Sequence, residues 1–180
     1  MQLISTPISD LFVIQPKVFE DPRGYFFESF NSNLFKQHHI AVDFVQDNQS
    51  LSQKDVLRGL HFQNPPYAQG KLVRVITGSV LDVAVDIRKN SATYGKHYSI
   101  VLSEKNKTQL WIPAGFAHGF LTLENNTIFS YKCTNFYNKA SEDAIRWNDP
   151  DIGIKWGTGT PLLSEKDQEA NFFKDLKSHF

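Results

Sequence analysis

The chain has a single cysteine, Cys133, and its only methionine is Met1. One cysteine excludes any internal disulfide and fits a reducing compartment, so the cytoplasm is the expected location. Neither sign of charge is in excess: nineteen Lys and Arg offset nineteen Asp and Glu, and the basic residues form no long run. With no global field to attract a nucleic-acid backbone, polynucleotide binding is not expected. Nowhere do eighteen apolar residues follow one another, and the start, Met1-Gln2-Leu3-Ile4-Ser5-Thr6-Pro7, lacks the basic-then-apolar order of a signal peptide. Neither a membrane span nor export is expected. Internal repeats, low-complexity tracts and linkers are also missing. The 180 residues therefore read as one domain, 1–180, long enough to bury a real core.

What the chain does have is aromatic bulk and a two-residue period. Fifteen phenylalanines supply the filling of a β-rich interior. Leu81, Val83, Val85 and Ile87 alternate with Val80, Asp82, Ala84 and Asp86, the pattern of a strand with two distinct faces. Further strands are predicted over 72–76, 97–102, 109–112, 120–123 and 127–134, punctuated by Thr77-Gly78, Glu104-Lys105-Asn106 and Asn125-Asn126. Many short strands with tight turns predict an all-β antiparallel sandwich or barrel, with its β core over about 44–135. Two short peripheral helices are expected. Asn31 is placed to cap one through Leu34, Phe35 and Lys36, and Ser164 to cap a C-terminal helical segment over about 164–177 that carries Phe172, Phe173 and Leu176.

Three stretches carry chemistry. The run from Val56 to Lys71 gathers Arg58, His61 and Lys71 around one strand and turn, a grouping suited to proton abstraction beside an anionic ligand. A lone histidine in an apolar strand is ordinarily a satisfied core residue, and Lys71 is what tips His61 toward function. Arg58 and His61 have opposite parity, so they share a face only if the strand bulges, which Gly59 permits. The run from Trp111 to Phe120 places His118 in a glycine-bracketed strand start, and the run from Phe129 to Tyr137 supplies the phenols Tyr131 and Tyr137. Alternation puts Phe129, Tyr131 and Cys133 on one face, pointing inward.

The chain resembles the dTDP-4-dehydrorhamnose 3,5-epimerase family. LRGLH, QGKLVR, DVAVDIR, QLWIP with GFAHGF, YK-x-T (as YKCT here) and LLSEKD occur in the family's order, and the likeness runs from about Phe12 to Asp175. The resemblance implies a cupin-type jelly roll, a homodimer, and an isomerase that needs no cofactor or metal and acts on a dTDP-sugar. Epimerisation beside a ketone needs a base, a group to steady the enolate oxygen, and an acid on the opposite face. The resemblance implies that His61 is the base, Lys71 the enolate stabiliser, Tyr131 the acid and Asp167 the carboxylate that orients His61. Spacing alone leaves Asp167 open, because Ser164-Glu165-Lys166-Asp167 also has the form of a helix cap. Asp82 and His118 are a candidate second carboxylate and imidazole pair. Planar guanidinium groups suit a diphosphate, making Arg23 and Arg58 candidates. The resemblance further implies substrate contacts from Glu28, Gln46, Asp47, Asn48, Lys71, His118, Glu142 and Lys166, with Tyr137 stacked on the pyrimidine. Without the family, Arg23 belongs to an ordinary turn, 46–48 to a polar loop, and Glu142 and Lys166 to a solvated surface.

Three rival readings stand beside this one. A metal-dependent cupin enzyme would need a His-x-His on an early strand, whereas His61 is followed two positions on by Gln63. A jelly roll that only binds sugar would need neither Lys71 nor Tyr131. A relative within the family that inverts one carbon instead of two shares the same motifs.

Overall fold

In the computed structural model, which describes residues 1–180, the chain begins with β1 (Gln2–Ser5) and β2 (Phe12–Gln15). A separate hairpin of β3 (Phe19–Asp21) and β4 (Gly24–Phe26) comes next, and then a short helix, α1 (Ser32–Gln37). Asn31 caps that helix as predicted, its side chain accepting from the Asn33 backbone N–H. The middle of the chain is strand after strand: β5 (Gln46–Ser52), β6 (Leu57–Gln63), β7 (Lys71–Thr77), β8 (Ser79–Asp86) and β9 (His97–Ser103). β10 (Gln109–Ile112), β11 (Phe116–Thr122), β12 (Thr127–Cys133) and the short β13 (Glu142–Ala144) follow, before α2 (Glu165–Glu169). No helix is long and apolar enough to cross a membrane.

The strands form two antiparallel sheets of the jelly-roll type, ordered β1-β2-β10-β7-β12-β5 and β13-β6-β11-β8-β9. The alternation along β8 shows why two sheets are needed. Val80 and Ala84 join Val73, Val75, Leu110 and Phe129 from the six-stranded sheet in the core between the layers. Val83, Val85 and Ile87 point the other way, into a second core roofed by the C-terminal segment through Ile145, Ile152 and Trp156. Each fully buried side chain of this kind contributes about 1.5–3 kcal/mol, so neither face of β8 could be left in water. A third cluster, with Ile14, Leu72 and Trp111 under Phe35 of α1, covers part of the outer face of the six-stranded sheet.

Two expectations need correction. The sheets extend beyond 44–135: β2 pairs onto β10 and β1 onto β2, and β13 pairs onto β6. The C-terminal helix does not run over 164–177. α2 ends at Glu169, and only a 3-10 turn at Phe173–Asp175 follows. Tertiary hydrogen bonds take the backbone that a longer helix would have used: Asn171 accepts from the Arg146 N–H at 2.8 Å, and the Phe173 N–H donates to Asp149 at 2.7 Å.

Candidate active site

A cavity of about 500 Å³ lies between the sheets, and its walls come from both. His61 on β6, with His118 and Phe120 on β11, line it from one sheet, while Lys71 on β7, Tyr131 on β12 and Asn48 on β5 line it from the other. An adjoining cavity of about 320 Å³ shares Asn48, His61, Lys71 and Tyr131 and adds Gln46, Tyr137 and Glu142.

The expected bulge is present. His61 pairs with His118 and Arg58 with Phe120, so Gly59 and Leu60 together stand opposite the single Gly119. Both Arg58 and His61 therefore reach the cavity. Gly59 has φ +132°, and a Cβ there would lie 2.4 Å from the Gly119 Cα, so the two strands approach this closely only through glycines. The Arg58 guanidinium rests on the Ser52 hydroxyl at 3.2 Å.

Asp167 does both things that its spacing left open. Its backbone N–H donates to the Ser164 hydroxyl at 3.2 Å, which caps α2, and that hydroxyl donates to Oδ2 at 2.9 Å. Oδ1 meets His61 Nε2 at 2.5 Å. The carboxylate is buried and the imidazole is partly open to the cavity, so Nδ1 is the ring nitrogen left for a ligand. Burial alone would raise the Asp167 pKa; the His61 bond and charge, with help from Ser164 and Lys166, outweigh it and hold the carboxyl below its usual range.

The second pair also forms. His118 Nε2 lies 3.0 and 3.1 Å from the two oxygens of the fully buried Asp82. Burial pushes the His118 pKa down against the pull of Asp82. Lys71 takes part in none of the chain's salt bridges. Burial lowers its pKa, and its ammonium stands 5.9 Å from the Tyr131 ring centre. Burial raises the pKa of Tyr131, keeping the phenol in its proton-carrying form. No three His, Cys, Asp or Glu side chains gather where they could hold one metal ion, and each cavity histidine is bonded to a carboxylate.

Other candidate residues form the mouth. The Tyr137 hydroxyl donates to Glu142 at 2.9 Å, and Glu142 pairs with Lys166. Gln46 accepts from the Tyr137 N–H at 2.9 Å and donates to Asn48 at 3.0 Å. Three candidates lie elsewhere. Asp47 faces the opposite side of the six-stranded sheet from Asn48 and pairs with Lys132 at 2.9 Å. Arg23 sits in the β3–β4 hairpin, its side chain 90% exposed and paired with Asp21. Glu28 binds Asn31 at 3.1 Å, outside both cavities. Sequence reasoning passed over Phe120 and Ser164, which line the larger cavity, and Gln63, which lines the smaller. Two of these were within reach, since Phe120 is two residues from His118 and Gln63 two from His61, each on its neighbour's face.

Residues 5–175 match the sequence profile of dTDP-4-dehydrorhamnose 3,5-epimerase. The enzyme of that name from Shigella flexneri is 54% identical over 176 residues, 97% of each chain. The crystal structure of dTDP-4-dehydrorhamnose 3,5-epimerase from Elizabethkingia anophelis NUHP1 superposes with TM-score 0.93 at 51% identity, covering 97% of both chains. A 3,5-epimerase from Legionella pneumophila Philadelphia 1, solved with dTDP-4-keto-L-rhamnose, superposes with TM-score 0.93 at 46% identity over 97% of this chain and 94% of that one. Taken with the facing imidazole, ammonium and phenol, these likenesses identify the chain as a member of the dTDP-4-dehydrorhamnose 3,5-epimerase family.

Proposed function

We propose that this chain inverts C3 and C5 of dTDP-4-dehydro-6-deoxy-D-glucose to give dTDP-4-dehydro-L-rhamnose, on the route that supplies L-rhamnose to cell-surface polysaccharide. Both carbons flank the C4 ketone, so their C–H bonds are acidified by the same carbonyl. His61 takes the proton from carbon, and the bonding pair moves onto the carbonyl oxygen as an enolate. The Lys71 ammonium stabilises that oxygen. Tyr131 then delivers a proton to the opposite face of the same carbon, and solvent restores both side chains. No electrons are gained or lost overall, so the chemistry requires no redox cofactor. The observation that carries this reading is that His61 and Tyr131 come from opposite sheets into one cavity that also holds Lys71.

The functional unit in this reading is one domain over 1–180 assembled as a cytoplasmic homodimer. The sharing of β8 and β11 between both main cores supports the single domain. The β3–β4 hairpin supports the dimer: Phe19 and Phe26, cross-strand partners on one face, are 54% and 67% exposed, an apolar pair that suits a protein partner. In this reading Arg23 and Glu28, which lie outside both cavities of their own chain, serve the substrate of the neighbouring copy. Arg58 serves the diphosphate, Gln46, Asn48, His118, Glu142 and Lys166 the remaining polar groups, and Tyr137 the pyrimidine.

Proton NMR of the 4-keto sugar in deuterium oxide tests the chemistry directly. Solvent deuterium should enter at C3 and C5 as the L-sugar accumulates. Tyr131→Phe should still wash deuterium in while product formation slows by about a hundredfold or more. A wild-type protein that exchanges neither position overturns the reading, and exchange at one carbon alone reduces it to a single-carbon epimerase.

A further inference from the structure

α2, which carries Asp167, is only five residues long and cannot hold its own position. A single turn closes few internal hydrogen bonds, so an isolated helix of this length has no stability in water. Its placement must come from what grips it. Two residues flanking Ala144 and Ile145 do so. Glu142 pairs with Lys166 near the start of the helix, while the Arg146 Nη2 donates to the Gln168 carbonyl at its last turn, at 2.6 Å. Arg146 also ties down the segment beyond, because its backbone N–H donates to Asn171 at 2.8 Å and its guanidinium lies 4.8 Å from the Phe172 ring centre.

Glu142 and Arg146 are joined by the backbone that frames His61. Ala144 is the register partner of His61, and Leu60 and Ile145 exchange both of their backbone hydrogen bonds, at 2.9 and 3.2 Å. One short segment, 142–146, is thus zipped to the strand carrying the imidazole and clamped to the helix carrying the carboxylate. The two halves of the pair arise 106 positions apart in sequence; the start of α2 is tied to the same strand through Leu162, whose carbonyl accepts from the Leu57 N–H at 2.9 Å, and the 142–146 segment holds its far end.

We infer that Arg146 is a positioning residue for the proposed reaction: it fixes the last turn of α2 on the β13 frame and so holds Asp167 against His61. It touches neither cavity and acts only through Asp167. The inference rests on the reading of His61 and Asp167 as the base pair of the reaction. Misplacing a catalytic partner by about 1 Å costs on the order of a hundredfold in rate, which sets the size of the effect to expect.

The test is a kinetic double-mutant cycle on the full chain. Arg146→Met keeps the unbranched stem over Phe172 and removes the donor to Gln168. It should lower kcat by about tenfold to a hundredfold, leave KM within about twofold, and be largely rescued in Arg146→Lys. Introduced into Asp167→Asn, Arg146→Met should lower kcat by less than about threefold further, because the contact it protects is already gone. Full multiplicative loss in that background, or loss that appears in KM or in melting temperature but not in kcat, overturns the positioning role. Should Arg146→Met fail to fold, Phe172→Leu, which removes the ring beneath the guanidinium, completes the same cycle with the same criterion. Wild-type turnover in Asp167→Asn would overturn the base-pair reading itself, and the Arg146 inference with it. An impaired Asp167→Asn with multiplicative losses removes only the inference.

Discussion

Arg58 and His61, three positions apart on one strand, enter the same cavity because Gly59 and Leu60 together stand opposite the single Gly119. On a regular strand one of the two would face away, since parity alternates at every residue. The extra residue turns a basic strand end and an imidazole into neighbours around a ligand.

That arrangement makes Gly59 sensitive. Gly59→Ala places a side chain at φ +132° and a Cβ 2.4 Å from the Gly119 backbone. Strain and overpacking together should lower stability by about 2–5 kcal/mol in urea unfolding. Turnover measured well below the melting temperature should fall as well, because the strand cannot keep its bulge without separating β6 from β11. Unchanged stability would show that the bulge relaxes freely.

The His61 and Asp167 pair predicts unequal losses. His61→Ala should reduce turnover by about a hundredfold to ten-thousandfold and abolish solvent exchange at both carbons, since it removes the base. Asp167→Asn should cost about tenfold to a hundredfold, as is usual when an imidazole loses the carboxylate that orients it. Steady-state rates and deuterium incorporation check both. Retained exchange in His61→Ala would place the base elsewhere.

Lys71 should trade stability for activity. Burial lowers the pKa of an ammonium that has no ion-pair partner, so folding works against its charge. Lys71→Met should raise the melting temperature by about 2–4 °C, the shift that 1 kcal/mol brings in a chain of this size. It should also cut kcat by a hundredfold or more through loss of enolate stabilisation. The lowered pKa places the alkaline limb of kcat below the ordinary lysine range near 10.5, because raising the pH through that pKa discharges the ammonium. Calorimetry and a pH–rate profile test the two halves separately.

Away from the cavity, Asp86 sets part of the acid limit of the fold. Burial alone would raise its pKa, yet the Arg88 guanidinium and the hydroxyls of Ser91 and Thr93 bring it down to about 2 from 3.8. A carboxyl depressed in the folded state stabilises it fully above the unfolded pKa, and that contribution is lost as pH falls from about 4 through about 2. It is on the order of 2 kcal/mol. Urea unfolding at several acidic pH values should show this loss, and Asp86→Asn should be less stable at neutral pH with a flatter acid slope.

Local pattern was legible wherever a residue's neighbours in sequence are also its neighbours in space. The inward face of Tyr131, the two faces of β8 and the Asn31 cap follow from a period of two or a single turn, and all three are present. The family motifs brought His61, Lys71 and Tyr131 into view, and one cavity receives them. The C-terminal helix was misjudged because Arg146 and Asp149, more than twenty residues upstream, take the hydrogen bonds that would have extended it. The resemblance placed Asp47 beside Gln46 and Asn48, and the strand sets its side chain on the opposite face of the sheet from theirs, which no motif states.

By itself the sequence determined an all-β chain, the positions of its turns and the residue types available for proton transfer, because these depend on periodicity and side-chain chemistry over a few residues. Tertiary structure alone decided which side chains meet. The pairing of β6 with β11 and β13, the bulge at Gly59, and the double duty of Asp167 as cap and as partner of His61 depend on contacts between distant segments. Register across a sheet and the seat of a five-residue helix are set by the packing of the whole chain, so no local stretch contains the information that fixes them.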